Sequence, residues 1–149
     1  MKLVKGMHSI YLTCSTRQSV KYQPKTLMLV MLIVENLIQN AIQATARGKS
    51  VQFALSLLEH RLVCEVRDEG PGLSDAVRKS LFSPCQSTKA GGSGIGLAIS
   101  KQLASHLGAD LELKSSEPHG SVFVLLLPIK LVKDAAALAS ESIPRPASV

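Results

Sequence analysis

The sequence predicts a two-layer α/β (α+β) sandwich, a mixed β-sheet covered on one face by helices. Three observations predict it. Residues 26 to 46 carry apolar side chains at helical spacing, and so do residues 95 to 108. Two pairs of strand-like segments, 50 to 58 with 61 to 67 and 109 to 114 with 121 to 128, each flank a turn. The strands come in adjacent pairs and the helices lie between the pairs, which favours a mixed sheet with helices packed against it.

Each element has a local reason. Residues 1 to 25 form a poorly assigned segment in which "HSIYLTC" alternates weakly, as an edge strand does. Pro24 punctuates it, and Thr26 is an acceptable N-cap for the first helix, which runs to about Ala46 with Gly48 just past its end. "SVQFALSLL" and "RLVCEVR" form a hairpin over Glu59 and His60. "DEGPGL" is a sharp loop, and "SDAVRKSLF" is a short helix capped by Ser74. "SPCQSTKAGGSG" is a Ser/Gly-rich connection into "IGLAISKQLASHLG", an amphipathic helix closed by Gly108. The last two strands surround the turn "SSEPHG", and the tail 131–149 is expected to fray.

Composition narrows the function classes. The chain has 149 residues, enough for one domain with its own core. Hydrophobic residues make up 46%, aromatics only 3%, and mean hydropathy is +0.20, so the core is built from Leu, Ile, Val and Ala. A net charge of +6 invites an anionic partner. The basic residues are scattered, however, with no run of five and no interleaved aromatics, so no nucleic-acid interface is expected. Cys14, Cys64 and Cys85 lack metal-ligand spacing and imply no disulfide framework, which suits a reducing cytoplasm. The longest apolar run, "LMLVMLIV" at 27 to 34, is too short to span a bilayer, and Glu35 and Asn36 end it. The N-terminus lacks a secretory layout, and no membrane contact is expected of this segment.

Three features carry chemistry. In "ENLIQNAIQA", Asn36, Asn40 and Gln43 fall at i, i+4 and i+7, a single stripe on a helix that is otherwise apolar. A buried amide left unpaired costs about 1–3 kcal/mol, so something polar is expected opposite the stripe. In "DEGPG", an acid at a strand end can accept a hydrogen bond from an exocyclic amine, and the following glycines let a flat ring lie on the backbone. In "GGSGIG", glycines lead into a helix start, where backbone N–H groups and the helix dipole favour phosphate. An asparagine oxygen can complete the shell of a phosphate-bridging Mg²⁺. Each feature alone is a loop or core cue; three of them in this order, at these separations, are far less expected by chance.

"ENLIQNAIQA", "DEGPG", "LFSPCQSTK" and "GGSGIGLAISKQLASHLGADLELKSSEPHGSVFVLLLP" resemble the catalytic ATP-binding domain of sensor histidine kinases, in the gyrase–Hsp90–histidine kinase–MutL superfamily. The resemblance covers roughly residues 26 to 130 and implies the Bergerat ATP-binding fold, with ATP and Mg²⁺ as cofactors. It makes Asn40 the Mg²⁺ ligand and sets Asn36 beside the phosphates, with Lys89 reaching one of them. Those three are the candidate catalytic residues. Asp68 takes the adenine amine, Gly70 and Gly72 shape that pocket, and Ser121 places a hydroxyl near the adenine through water. Gly92, Gly94 and Gly96 frame the phosphates and hinge a lid over about 81–93. Gln43, Ala44, Thr88, Ser93, Ile95 and Leu97 complete the implied nucleotide contacts.

Two contrasts refine the expectation. ATP-hydrolysing relatives carry a glutamate one turn before the magnesium asparagine, where this chain has Asn36; Glu35 is turned about 100° away. That favours phosphoryl transfer to a protein over hydrolysis. The family's second lid phenylalanine is Cys85 here, while Phe82 keeps the first. None of His8, His60, His106 and His119 has the acid and proline that follow a phosphoacceptor histidine. The acceptor is therefore expected on a separate dimerisation domain, in cis in a longer kinase or in trans, with a response regulator beyond it. Two alternatives stand beside this reading: an anti-sigma-type serine kinase and binding module, against which the long lid argues, and a nucleotide-binding scaffold without catalysis.

Overall fold

A computed structural model of the chain describes residues 2–5, 8–14, 23–83 and 95–128. The first segment holds two strands, β1 (Lys2–Lys5) and β2 (His8–Cys14), paired antiparallel. This corrects the expectation of one edge strand. β2 is interior, running parallel to β3 (Ser50–Leu58), and β1 is the edge. A parallel partner about 40 residues downstream leaves no mark on local alternation, because parallel strands are joined by a crossover rather than a turn.

That crossover is α1, Pro24–Ala44. It starts two residues before the expected cap. Pro24 occupies the first helical turn, where its missing N–H costs nothing, and Gln23 is the N-cap without a side-chain bond. It also ends two residues early: the Thr45 hydroxyl and N–H both bond the Ala41 carbonyl, at 2.7 and 3.0 Å, closing the last turn. By length and composition alone α1 passes as a membrane span, at 21 residues and a mean hydropathy of 1.5. The run of eight apolar residues understated it. Here the helix lies on the sheet through Val30, Ile33, Leu37 and Ala41, while Leu27, Met28, Met31 and Leu32 are exposed.

β3 turns through Glu59, at φ 53°, into β4 (Arg61–Asp68) with the register Leu58 opposite Arg61 and Val51 opposite Asp68. α2 (Asp75–Lys79) is shorter than expected, and the Ser74 hydroxyl caps it by accepting from the Val77 N–H. α3 (Gly96–His106) ends before Gly108, whose φ of 65° reverses the chain. β5 (Asp110–Glu117) and β6 (Gly120–Pro128) run on through the expected turn and leave only Pro118 and His119 between them. A bulge between Leu113 and Ser115 adds one residue to β5.

The sheet order is β1-β2-β3-β4-β6-β5, mixed because β2 and β3 are parallel and the other neighbours antiparallel. The core between sheet and helices is aliphatic, with Ile33, Leu37, Val51, Cys64, Val66, Leu111, Leu125 and Leu127 nearly inaccessible. Cys64 is a small core residue, as its surroundings in the sequence suggest; burial pushes its thiol up to about 11.

Candidate functional site

The C-terminal half of α1 meets the end of β4, and a cavity opens between them. Asn40, Ala41 and Ala44 line it from α1, Asp68 from β4, Gly72 and Leu73 from the following loop, Leu97 from α3, and Ser121 and Phe123 from β6, with Leu81 beside them.

One end of the cavity is held by a hydrogen-bonded frame. Asp68 is buried, and its Oδ1 accepts from the Gly70 N–H at 2.8 Å and the Ser121 N–H at 3.3 Å. A carboxylate that accepts backbone amides at a strand end is fixed in direction. Gly70 is required by closeness: a Cβ there would stand 2.7 Å from Asp68 Oδ1 and 2.9 Å from the Ala44 carbonyl oxygen. Gly120, at φ 145°, lies so close to Asp68 that a Cβ would run into its carbonyl oxygen. Glu69 faces outward and accepts from the Ser50 N–H at 2.7 Å, tying the loop to the start of β3. That backbone bond holds its carboxyl below the usual glutamate range. Behind the wall, the Ser116 hydroxyl accepts from the Leu73 N–H at 2.7 Å and lies 3.2 Å from the Ser121 hydroxyl.

The other end is where α1 meets α3. Asn36 is half-buried, and its Nδ2 donates to the Ser100 hydroxyl at 2.8 Å; Ser100 itself is buried. Gly96 lets the helices close on each other, since a Cβ there would stand 2.7 Å from Asn36 Oδ1. Ile95, the N-cap of α3, is exposed and makes no side-chain cap bond. Asn40 Nδ2 is buried and finds no hydrogen-bond partner among the described residues.

Of the residues singled out by sequence, Asn40, Ala44, Asp68, Gly72, Leu97 and Ser121 share the cavity. Gly70 stands behind Asp68, and Asn36 meets Gly96 across the helix contact. Gln43 is the correction: it is exposed and lines no part of the cavity. Spacing defines a stripe but not the direction of the core. At about 100° per residue, the buried side chains of α1 centre about 105° around from Asn36. Asn40 is then about 65° from that centre and Gln43 about 125°, on the water side. Glu35 is exposed as well. Thr88, Lys89, Gly92, Ser93 and Gly94 lie outside the described residues, as do Cys85 and most of the expected lid; so does the expected tail 131–149. Phe82 packs against the core with Lys101 Nζ 5.5 Å from its ring centre, a cation–π contact. His60, His106 and His119 are exposed.

Sequence reasoning missed Leu73, Leu81, Phe123, Ser100 and Ser116. Two had a usable signal. Phe123 is two residues after Ser121 and so shares its face of the strand. Ser100 is four residues after Gly96 on the same face of α3.

Comparison with known proteins agrees with this geometry. The profile of the histidine kinase-, DNA gyrase B- and HSP90-like ATPases matches residues 26–131. The sensor protein EvgS of Escherichia coli O157:H7 is 31% identical over 147 residues, covering 90% of this chain and 12% of EvgS. Among solved structures, the mycobacterial sensor histidine kinase MprB superposes with a TM-score of 0.67 at 25% identity, covering 84% of each chain. Full-length ShkA in complex with AMPPNP gives a TM-score of 0.68 at 24% identity, covering 83% of this chain and 26% of that one, and shares the fold. The chain thus spans about an eighth to a quarter of the length of the curated relatives, 12% of EvgS and 24% of the sensor kinase ZraS of Salmonella typhimurium. A mixed sheet under helices, with a cavity that brings the α1 amide to the strand-end acid, is the Bergerat arrangement. The chain belongs to the histidine kinase-, DNA gyrase B- and HSP90-like ATPase family, as an ATP-binding domain of the sensor histidine kinase type.

Proposed function

We propose that this domain binds Mg-ATP and donates the γ-phosphoryl group to a histidine on a separate dimerisation domain, from which a response regulator takes it, on the cytoplasmic side. The observation that carries this reading is Asn40. A buried amide with no partner among the described residues, in a cavity it shares with a fixed carboxylate, is a cost of about 1–3 kcal/mol that a ligand would relieve. The orphaned atom is the Nδ2 donor, so what it lacks is an acceptor such as a phosphate oxygen, while Oδ1 of the same carboxamide can meet a cation. Among the described residues no cluster of three His, Cys, Asp or Glu gathers, so a cation at this place would depend on Asn40 and on the phosphates themselves. That suits Mg²⁺, which keeps its waters and bridges phosphates. Bound there, Mg²⁺ would neutralise charge on the transferring phosphoryl group.

The chain's own residues divide the work. Asp68, held by two N–H groups, receives the adenine amine. Gly72, Leu97 and Phe123 exclude water around the base. Asn36, fixed to Ser100, and the uncapped first turn of α3 face the phosphates. Glu35 points to solvent, so no carboxylate from this turn activates water, and the γ-phosphoryl is kept for a protein acceptor. The ShkA complex with AMPPNP supports the nucleotide class.

Calorimetric titration with a non-hydrolysable ATP analogue, with and without Mg²⁺, tests the site. Wild type needs the metal for full affinity, and Asn40→Ala loses that dependence. Transfer is tested with labelled ATP and a histidine-bearing dimerisation domain, giving label that survives base. No nucleotide binding at millimolar concentration, or label that survives only acid, overturns the reading.

A further inference from the structure

Ser116 does not line the cavity, yet its hydroxyl bonds two residues that do. It accepts from the Leu73 N–H at 2.7 Å and lies 3.2 Å from Ser121 Oγ. The β5 bulge puts it there. In an unbroken ladder from the Leu113–Phe123 pair, Ser115 would stand opposite Ser121; the extra residue moves Ser116 into that place.

The order of donors then follows by counting. A serine hydroxyl has one proton to give. The Leu73 N–H is a donor only, so it spends a lone pair of Ser116 and none of its protons. Among the described residues the one acceptor recorded for the Ser116 proton is Ser121 Oγ. When Ser116 donates to Ser121, the Ser121 proton is free to turn into the cavity. The reverse order would leave the Ser116 proton without an acceptor in a part-buried place, at a cost. Ser121 is itself buried, and its N–H bonds Asp68 Oδ1, so its hydroxyl sits beside the carboxylate.

We infer that Ser116 is a positioning and specificity-determining residue for the nucleotide base: the relay Leu73 N–H to Ser116 to Ser121 presents a donor to the base, selecting a ring nitrogen that accepts. The inference rests on the reading that an adenine nucleotide sits here with its amine on Asp68. The ring nitrogen next to that amine on the pairing edge, N1, accepts in adenine and carries a proton in hypoxanthine and guanine. Ser121 meets it directly or across one water.

The test compares ATP with 1-deaza-ATP, which keeps the amine and replaces N1 by C–H. Binding is measured calorimetrically for wild type, Ser116→Ala, Ser116→Thr and the near-isosteric, weakly donating Ser116→Cys. Wild type prefers ATP about fivefold, the worth of one neutral hydrogen bond. Ser116→Ala lowers the preference without abolishing it, because Ser121 keeps its own proton but loses the bond that aims it, Ser116→Thr restores the wild-type ratio and Ser116→Cys lies between. A merely structural role predicts something else: both nucleotides weaken together, the melting temperature falls and the ratio stays. An unchanged ratio in Ser116→Ala and Ser116→Cys overturns the relay while leaving nucleotide binding intact. A wild type that binds neither nucleotide overturns the relay and the adenine reading together.

Discussion

The two ends of the cavity are built on opposite plans. At the strand end, Asp68 Oδ1, the Gly70 and Ser121 N–H groups, Ser116 and Leu73 spend their hydrogen bonds on one another. At the helix end, Asn36 is tied to Ser100, but the Nδ2 of Asn40 is buried with no partner among the described residues. The first end holds a shape at its own expense. The second keeps a polar atom unspent, which stabilises nothing until something arrives. One end fixed by its own hydrogen bonds and one end left with an unsatisfied donor is the pattern expected of a site that holds one part of a ligand in register and leaves another part free to move.

The comparison breaks most readily at the strand end. Gly120→Ala forces a Cβ into the Asp68 carbonyl at a φ of 145° and should destabilise the fold by about 4 kcal/mol, the upper range for one substitution. Chemical denaturation should show a large fall in unfolding free energy, and a fall under about 1 kcal/mol would mean that the strand end yields easily. The two ends should next diverge in sign. Asp68→Ala leaves two N–H groups without their acceptor and should cost about 2–3 kcal/mol along with nucleotide binding. Asn40→Leu removes an unpaired amide and should leave stability unchanged or raise it by about 1 kcal/mol, while binding is lost. Thermal melts of the apo proteins against titrations separate the two, and an Asn40→Leu variant that melts well below wild type would erase the distinction.

The smallest effect sharpens the strand end alone. Glu69 is bonded to the Ser50 N–H, and its folded pKa lies below the ordinary value. Its contribution is therefore complete above the usual glutamate range and fades as pH falls through the lowered value. Between pH about 5 and about 3, wild type should lose slightly more stability than Glu69→Gln, which has no such proton to take up. Equal slopes would show that the bond holds nothing.

The sequence was most legible where function and local pattern coincide. The β3–β4 hairpin, the Ser74 cap and the strand-end acid each declare themselves within ten residues, and the structure keeps them. Three kinds of feature stayed hidden. The β2–β3 pair is parallel, and its register depends on a partner that local alternation cannot see. Gln43 was grouped with Asn36 and Asn40 because spacing defines a stripe but not the direction of the core. Ser116 owes its place to a bulge, and one inserted residue changes which side chains face each other without changing any propensity. Lys89, Gly92 and Gly94, read from the glycine cluster and the family resemblance, fall outside the described residues.

α1 is the link between two hydrogen-bonded neighbours, β2 before it and β3 after it. A helix joined to paired strands and packed on β4 and α3 takes its alignment from the sheet, and so do the carboxamides it carries. The aim of Asn40 is in this sense inherited from strand pairing outside the pocket, and weakening the β2–β3 ladder should misaim it without touching any residue that lines the cavity.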